Sequence, residues 1–506
     1  MPVHHLNRPG QVPTLLPLVA ASFFVAGAVQ TQNQLTAGYR HITNSDCLGC
    51  HAYDAPRVGP AFKDVAKRYQ DDPGAAEALA AKIKNGGAGN WGEVPMIPHP
   101  RLSDTELAGI VRWILSGEPP PQLETPAPAP AVVLPTAPAE EVTYKNLITV
   151  DGLPPITHLP PPPVPPDNPM TVEKVELGRK LFFDGRLSGN TRSSCFVCHS
   201  PQLGWGDGGG ISRGYPGTRH WRNAQTILNS AYYNKIFWDG SVVSLEGQAH
   251  AAATGAVGGN VDEAMAEMRL RFVPEYVEAF RQVFGLKQPR VTYAWRAIAA
   301  FERTLVSNPK NVPYDRYIAG DEQALTASAL RGMKLFHGKA NCIQCHNSPL
   351  ASDQKFYALG VPEHELVQSD PLAQITHRFE QYAKGASLDM YRKADVDHGL
   401  YYVTKNPVDK GKFRTPSLRE LKYTGPYMHN GGFSTLEEVV AFYNQGGGQH
   451  PNKSPLIKPL QISAEEQADL VAFLEALSSD EPIVTAVPAM PDYAPLGPSV
   501  TEDDAQ

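Results

Sequence analysis

The chain has 506 residues, 42% hydrophobic and 19% charged, enough apolar material for two or three packed domains and too much for a disordered chain. Its 52 acidic and 45 basic side chains give a formal charge of −7 with no long basic run, so nothing in the composition points to a nucleic-acid surface.

Taken in chain order, residues 1–30 come first. His4, His5 and Arg8 precede an apolar stretch from Leu15 to Val29, and polar residues follow from Gln30. This is a signal-peptide pattern with Ala26-Gly27-Ala28 as cleavage site, and counted from Val12 it also reaches the lower limit for an uncleaved membrane anchor. Either form predicts a periplasmic protein, soluble or anchored to the inner membrane.

All six cysteines lie in Cys-x-x-Cys-His units: Cys47, Cys50 and His51; Cys195, Cys198 and His199; Cys342, Cys345 and His346. Random placement of six cysteines and 16 histidines would give far fewer than one such unit. Two thiols one helical turn apart add to the two vinyl groups of a haem, and the adjacent histidine then lies under the iron. Three covalently bound c-type haems are therefore expected. Zinc needs two such pairs close together, and a redox dithiol needs no following histidine.

Residues 118–170 are proline-rich and read as a semi-rigid linker between a one-haem and a two-haem part. In the second part Gly178-Arg-Lys-Leu-Phe-Phe-Asp-Gly185 recurs as Gly332-Met-Lys-Leu-Phe-His-Gly338, each shortly before a haem motif, so two similar units stand in tandem. Capping boxes at Ser103/Glu106, Thr435/Glu438 and Ser463/Glu466 predict helix starts. Leu107, Ile110, Val111, Ile114 and Leu115 after the first, and Leu470, Val471, Leu474 and Leu477 after the last, keep helical spacing. The expected fold is mainly α, with three cytochrome c-like haem domains at 38–117, 171–325 and 326–478, the last two forming a tandem unit, and a flexible tail over 479–506.

Residues 38–117 resemble the small class I bacterial cytochromes c through Val58-Gly-Pro-Ala-Phe62, Ile83-Lys-Asn-Gly-Gly87, Trp91-Gly-Glu-Val-Pro-Met96 and the helix from Ser103. The resemblance implies Met96 as the second axial ligand, with His99 as the alternative. A thioether opposite histidine closes the iron to substrates and raises its potential, so this haem should pass electrons.

From Val172 to Leu477 the chain resembles the bacterial dihaem cytochrome c peroxidase and MauG family. The carrying segments are Leu177 to Ser188, Arg222-Asn-Ala-Gln-Thr-Ile-Leu-Asn229, Phe237-Trp-Asp-Gly240, Gln248, Phe413-Arg-Thr-Pro-Ser-Leu-Arg419 and Gly425-Pro-Tyr-Met-His-Asn-Gly431. The resemblance implies that peroxide reacts at the His199 haem, and that the His346 haem relays or stores an electron. It implies Tyr443 as distal ligand of the latter, with Met428 or Met390 as alternatives. It further implies Trp238 as an aromatic relay between the haems, and Asn223, Thr424 and Pro426 as oxygen ligands of one calcium ion.

Two departures stand out. The family's distal glutamine is Gln248, but the position of its acid-base glutamate holds Gly258, leaving His250 as the candidate substitute. The position of the resting-state distal histidine falls on Tyr215, with His220 nearby. The expected function is reduction of hydrogen peroxide to water, with electrons from a quinol, a cytochrome c or a cupredoxin relayed through the first and third haems. A MauG-like oxidation of a partner protein or organic substrate, and a pure electron carrier, are the alternatives. The oligomeric state stays open, a homodimer included.

Overall fold

A computed structural model describes residues 35–121 and 142–493, apart from 36, 37, 40, 43–46, 57, 58, 90, 97, 100, 101 and 216. The expected signal or anchor segment, 1–30, lies outside the described residues. No described helix is long and apolar enough to cross a membrane.

The first part contains helices α1 (Cys47–Cys50), α2 (Phe62–Tyr69), α3 (Ala75–Asn85) and α4 (Asp104–Ser116), with an antiparallel pair β1 (Gly87–Gly89) and β2 (Gly92–Met96) before α4. The capping box of Ser103 and Glu106 starts α4, and Gly117 ends it at φ 66°. Leu107, Ile110, Val111, Trp113 and Ile114 form its buried face and pack with Ile42, Phe62, Val65 and Ile83. Met96 packs against the same cluster.

The second part has α5 (Val172–Phe183), α6 (Cys195–Cys198), α7 (Leu245–Thr254), α8 (Glu263–Arg271), α9 (Pro274–Phe284) and α10 (Val291–Glu302). The third has α11 (Ala327–His337), α12 (Pro371–Ala383), α13 (Leu436–Asn444) and α14 (Ala464–Ala476), with a short pairing of β3 (Phe356–Tyr357) and β4 (Phe413–Arg414). The capping boxes at Thr435 and Ser463 form as the sequence predicts.

The repeated glycine has a physical reason. A Cβ on Gly178 would lie 1.8 Å from the carbonyl oxygen of Ala297, and one on Gly332 would lie 1.8 Å from that of Asp469. Each glycine thus lets two helix backbones touch: α5 against α10, and α11 against α14. Four residues on from each glycine and its neighbour, Phe182 meets Phe301 at 5.4 Å and Phe336 meets Phe473 at 5.1 Å. The repeat therefore extends to α10 and α14, which in this register share only Ala300-Phe301 and Ala472-Phe473 over 297–302 and 469–474.

Two expectations need correction. Residues 142–170, within the stretch read as linker, are packed: Ile156 is fully buried in the third part's core, with Tyr144, Leu147, Ile148, Val150 and Leu153 against the same cluster, while Asn168 bonds Glu246 and the Arg296 carbonyl of the second part. The residues from 479, read as a flexible tail, form a strap as far as 493. The Tyr423 hydroxyl donates to the Ser479 and Asp480 carbonyls, the Trp205 indole donates to the Ile483 carbonyl at 2.7 Å, and Ile483, Val487 and Met490 pack on the second part's core. Proline-rich composition hid both, because a strap needs only a few apolar anchors and has no helical period to read.

Candidate functional site

The three motif histidines share one arrangement. Nδ1 of His51 lies 2.8 Å from the Pro60 carbonyl, that of His199 3.0 Å from the Trp205 carbonyl, and that of His346 3.2 Å from the Ala351 carbonyl. A carbonyl only accepts, so each Nδ1 carries the proton and leaves the Nε2 lone pair for a metal. Burial lowers the basicity of His199 and His346, which keeps both rings neutral and able to ligate. The His51 ring stacks on Phe62 at 5.1 Å, and a Cβ on Gly59 would come within 2.3 Å of it, so glycine makes room for the ring. Cys195, Cys198, Cys342 and Cys345 form no disulfide.

Two cavities fit haem. One of about 510 Å³ is lined by Cys195, Cys198 and His199, and one of about 640 Å³ by Cys342, Cys345 and His346. Buried polar atoms at the first cavity's wall have no protein partner among the described residues: Arg414 Nη1, His377 Nε2 and the Tyr402 hydroxyl. Arg414 lines both cavities. A haem brings two carboxylates, which would satisfy such groups where an apolar ligand would leave them costly. The residues present therefore fit the group.

Trp238 lines both cavities, so one aromatic ring forms part of the wall they share. It is held at both ends: its indole donates to the Asn223 carbonyl at 3.1 Å, and its own carbonyl accepts from the Arg414 backbone at 2.9 Å. Arg222 and Asp239 also line the His199 cavity, and Arg222 pairs with Asp397 at 2.5 Å and Asp239 at 2.7 Å, all three groups largely buried.

On the side of α7, Gln248 is buried and lines the His199 cavity. His250 does not. Two residues along a helix is a turn of about 200°, so His250 faces outward, half exposed, with Nε2 3.5 Å from Glu263. The expectation that His250 replaces the missing glutamate is corrected accordingly. His250→Ala should leave peroxide turnover by the haem-loaded protein within about twofold of wild type, as for a surface change away from buried features. Nor has Gly258 room for an acid, since a Cβ there would lie 2.3 Å from the Ala252 carbonyl oxygen. The loop from Ser212 to His220 is pinned beside it by the Tyr215 amide, which donates to the Gly258 carbonyl at 2.9 Å. His220, not Tyr215, lines the cavity.

Tyr443, on α13, lines the His346 cavity, as does Met428, whereas Met390 does not. Burial, with the nearby Cys342 and Cys345, holds the Tyr443 phenol well above its usual value, so an iron would have to displace its proton on binding. Asn223, Thr424 and Pro426 line this same cavity together. No cluster of three or more acidic, histidine or cysteine side chains suited to a metal occurs among the described residues, so a cation there would rest on neutral oxygens.

Sequence reasoning missed three groups at the His199 cavity. His377 comes from α12, in a stretch without a motif, and its ring stacks on Trp221 at 4.1 Å. Arg414 lies inside a recognised segment but carried no assigned role. Glu302 ends the apolar helix α10, and a lone acid closing such a run was the signal that could have found it.

Residues 172–323 match the family model for di-haem cytochrome c peroxidase, and residues 33–114 match that for subunit III of cbb3-type cytochrome c oxidase. The chain is 63% identical over 344 residues to cytochrome-c peroxidase IdrP1 of Denitromonas iodatirespirans, covering 68% of this chain and 92% of the relative. It is 37% identical to the methylamine utilization protein MauG of Methylorubrum extorquens over 65% of this chain and 84% of that one. The crystal structure of a MauG-like protein associated with microbial copper homeostasis aligns at 34% identity and TM-score 0.54, over 66% of this chain and 96% of that one. With these matches the chain belongs to the di-haem cytochrome c peroxidase family, as a peroxidase-type oxidoreductase with covalently bound c-type haem.

Proposed function

We propose that the chain carries three haems, in units at 38–117, 171–325 and 326–478, and reduces hydrogen peroxide to water at the one on Cys195 and Cys198. Each turnover takes one peroxide, two electrons and two protons to two waters. Electrons enter from a quinol, a cytochrome c or a cupredoxin at the haem held by His51 and Met96, and pass by way of the His346 haem and Trp238. The observation that carries this reading is Trp238 in the wall common to two haem-sized cavities, fixed at both its indole and its carbonyl. The haem supplies the redox-active iron. The chain's own residues hold it through His199, place the Gln248 amide in the reactive cavity and seal the wall with the Arg222 ion pairs.

The match to IdrP1 takes up 92% of that protein, leaving too little of it for an additional unit the size of residues 38–117. Cys50 of the first motif packs against the core of the second part, which offers a direct entry in competition with the route through Trp238. A calcium ion on Asn223, Thr424 and Pro426 would stiffen the same wall, and the periplasm is the compartment where such a protein would meet its donors.

The test is steady-state peroxide consumption by the haem-loaded full chain with a reduced small donor; turnover no faster than free haem would sink the proposal. Met96→Leu should slow reduction by a protein donor while dithionite still reduces the other haems at the wild-type rate. Trp238→Phe should slow transfer between the remaining two, and an unchanged rate would favour the direct entry. A second reading, oxidation of a partner protein or organic substrate, is favoured by Tyr443 in the His346 cavity and by the MauG relative. Modified residues on co-exported proteins after peroxide treatment would establish it.

A further inference from the structure

The internal repeat supplies its own control for the reactive cavity. The pairs Gly178–Ala297 and Gly332–Asp469 superpose helices α10 and α14 residue by residue, as do the ring pairs Phe182–Phe301 and Phe336–Phe473. In this register Ile298 corresponds to Leu470, and Glu302 to Leu474. All four line haem-sized cavities: Ile298 and Glu302 that of His199, Leu470 and Leu474 that of His346. One position of the repeat is therefore leucine in the relay cavity and glutamate in the reactive one.

A carboxyl at such a position costs free energy, and the one cation beside it, Arg303, compensates only in part. Glu302 is 3% exposed, and its Oε2 has no hydrogen-bond partner. Arg303, the adjacent cation, forms an ion pair with Glu246 of α7 at 2.9 Å and donates to it from Nη2 at 3.1 Å, while its Nη1 makes no hydrogen bond among the described residues. Glu302 is the last residue of α10, where the negative end of the helix disfavours a second negative charge. Burial foremost, with Arg303 opposing and the like charge of Glu246 added, pushes its pKa up to about 8. The charged groups facing it are thus Arg303 on its own helix, Glu246 on α7, and Cys195 on α6, which is a neutral thioether once haem is attached. A leucine would fit with none of this cost, as the other half of the repeat shows. An acid kept there is a candidate for work on charge in the cavity.

We propose that Glu302 exchanges a proton with solvent in step with the redox state of the reactive haem. When an electron from the donor reduces the ferric haem, the site loses one positive charge, and the Glu302 carboxylate takes up one proton from water to become the neutral acid. Oxidation reverses both transfers, so one electron and one proton move together. This supplies at the cavity wall a proton of the kind peroxide reduction consumes, in a protein whose Gly258 has no room for an acid. The inference rests on the assignment of the His199 haem as reactive, but its test does not depend on peroxide turnover.

The test is a redox titration of the holoprotein from pH 6 to pH 9, following the haems separately by their spectra. In wild type the potential of the His199 haem should fall with rising pH through a window near and below about 8, where the two redox states differ in Glu302 protonation. The slope should approach about 59 mV per pH unit, one proton per electron. Glu302→Gln should flatten it, as should Glu302→Leu, which copies the residue the repeat places in the other cavity. The potential of the His346 haem should stay unchanged in both variants, which also shows that the fold and haem loading survive. A protonated-carboxyl band in the reduced-minus-oxidised infrared spectrum should vanish in both. If either loaded variant keeps the wild-type slope, Glu302 is not the coupled group. If the slope behaves as described but peroxide is not consumed, the proton coupling stands and the peroxidase reading fails.

Discussion

Replacement of Gln248 by alanine is expected to lower kcat for peroxide reduction by the haem-loaded protein by about 10²–10³-fold, the usual cost of removing one preorganised donor from a reacting oxygen. The expectation follows from what the cavity lacks. His250 faces Glu263 in solvent, and Gly258 is closed to any side chain by the Ala252 carbonyl. Gln248 is thus the polar side chain that α7 offers to the His199 cavity, on a residue whose backbone N–H donates to the Ser244 carbonyl at 2.9 Å in the first turn of the helix. A side-chain amide has no proton to give away near neutral pH, so its contribution is to orient peroxide and steady developing charge. Removing it should therefore lower kcat more than it raises KM. Haem content and the resting spectrum should match wild type, because Gln248 touches neither the cysteines nor His199 through any hydrogen bond. A variant with full kcat would show that oxygen–oxygen cleavage is assisted from another wall of the cavity, which His220, His377 and Glu302 also line.

How far the sequence could be read depended on the range of the interaction behind each feature. The Cys-x-x-Cys-His units, the three capping boxes and the repeated glycine are local chemistry, complete within a few residues, and each was legible. His250 is near Gln248 in sequence but not in space, because a helix turns the second residue away. Glu302, His377 and Arg414 meet at one cavity from α10, α12 and β4, a convergence made by tertiary packing that spacing along the chain does not encode. The straps failed for another reason. Ile156 and Ile483 sit among a few unevenly spaced apolar anchors in proline-rich surroundings, which show no period, yet a fully buried aliphatic side chain such as Ile156 contributes about 1.5–3 kcal/mol.

The strap before the second part leads to the largest expected effect on stability. Asp315→Ala should destabilise the protein by about 3–5 kcal/mol, the cost of leaving a buried cation without its partner. Arg419 and Asp315 are 0% and 1% exposed and meet through two bonds of 2.9 and 3.2 Å. The same guanidinium donates to the Thr157 carbonyl at 2.6 Å and the Pro349 carbonyl at 2.7 Å. One ion pair therefore ties the 142–170 strap to the helix that begins at Pro313 and to the loop just after His346. Without the carboxylate the guanidinium keeps two carbonyl partners but no counter-charge, and it can regain water only by opening that junction. Thermal unfolding should move down by on the order of 10 °C, since about 2–4 °C accompanies each kcal/mol in domains of this size. Limited proteolysis should cut first between 142 and 170, at temperatures where wild type resists. Asp315→Asn, which keeps hydrogen-bond acceptance without the charge, should lose less. Equal losses in the two variants would mean that charge pairing carries the junction, while no loss in either would show that the three parts hold together without it.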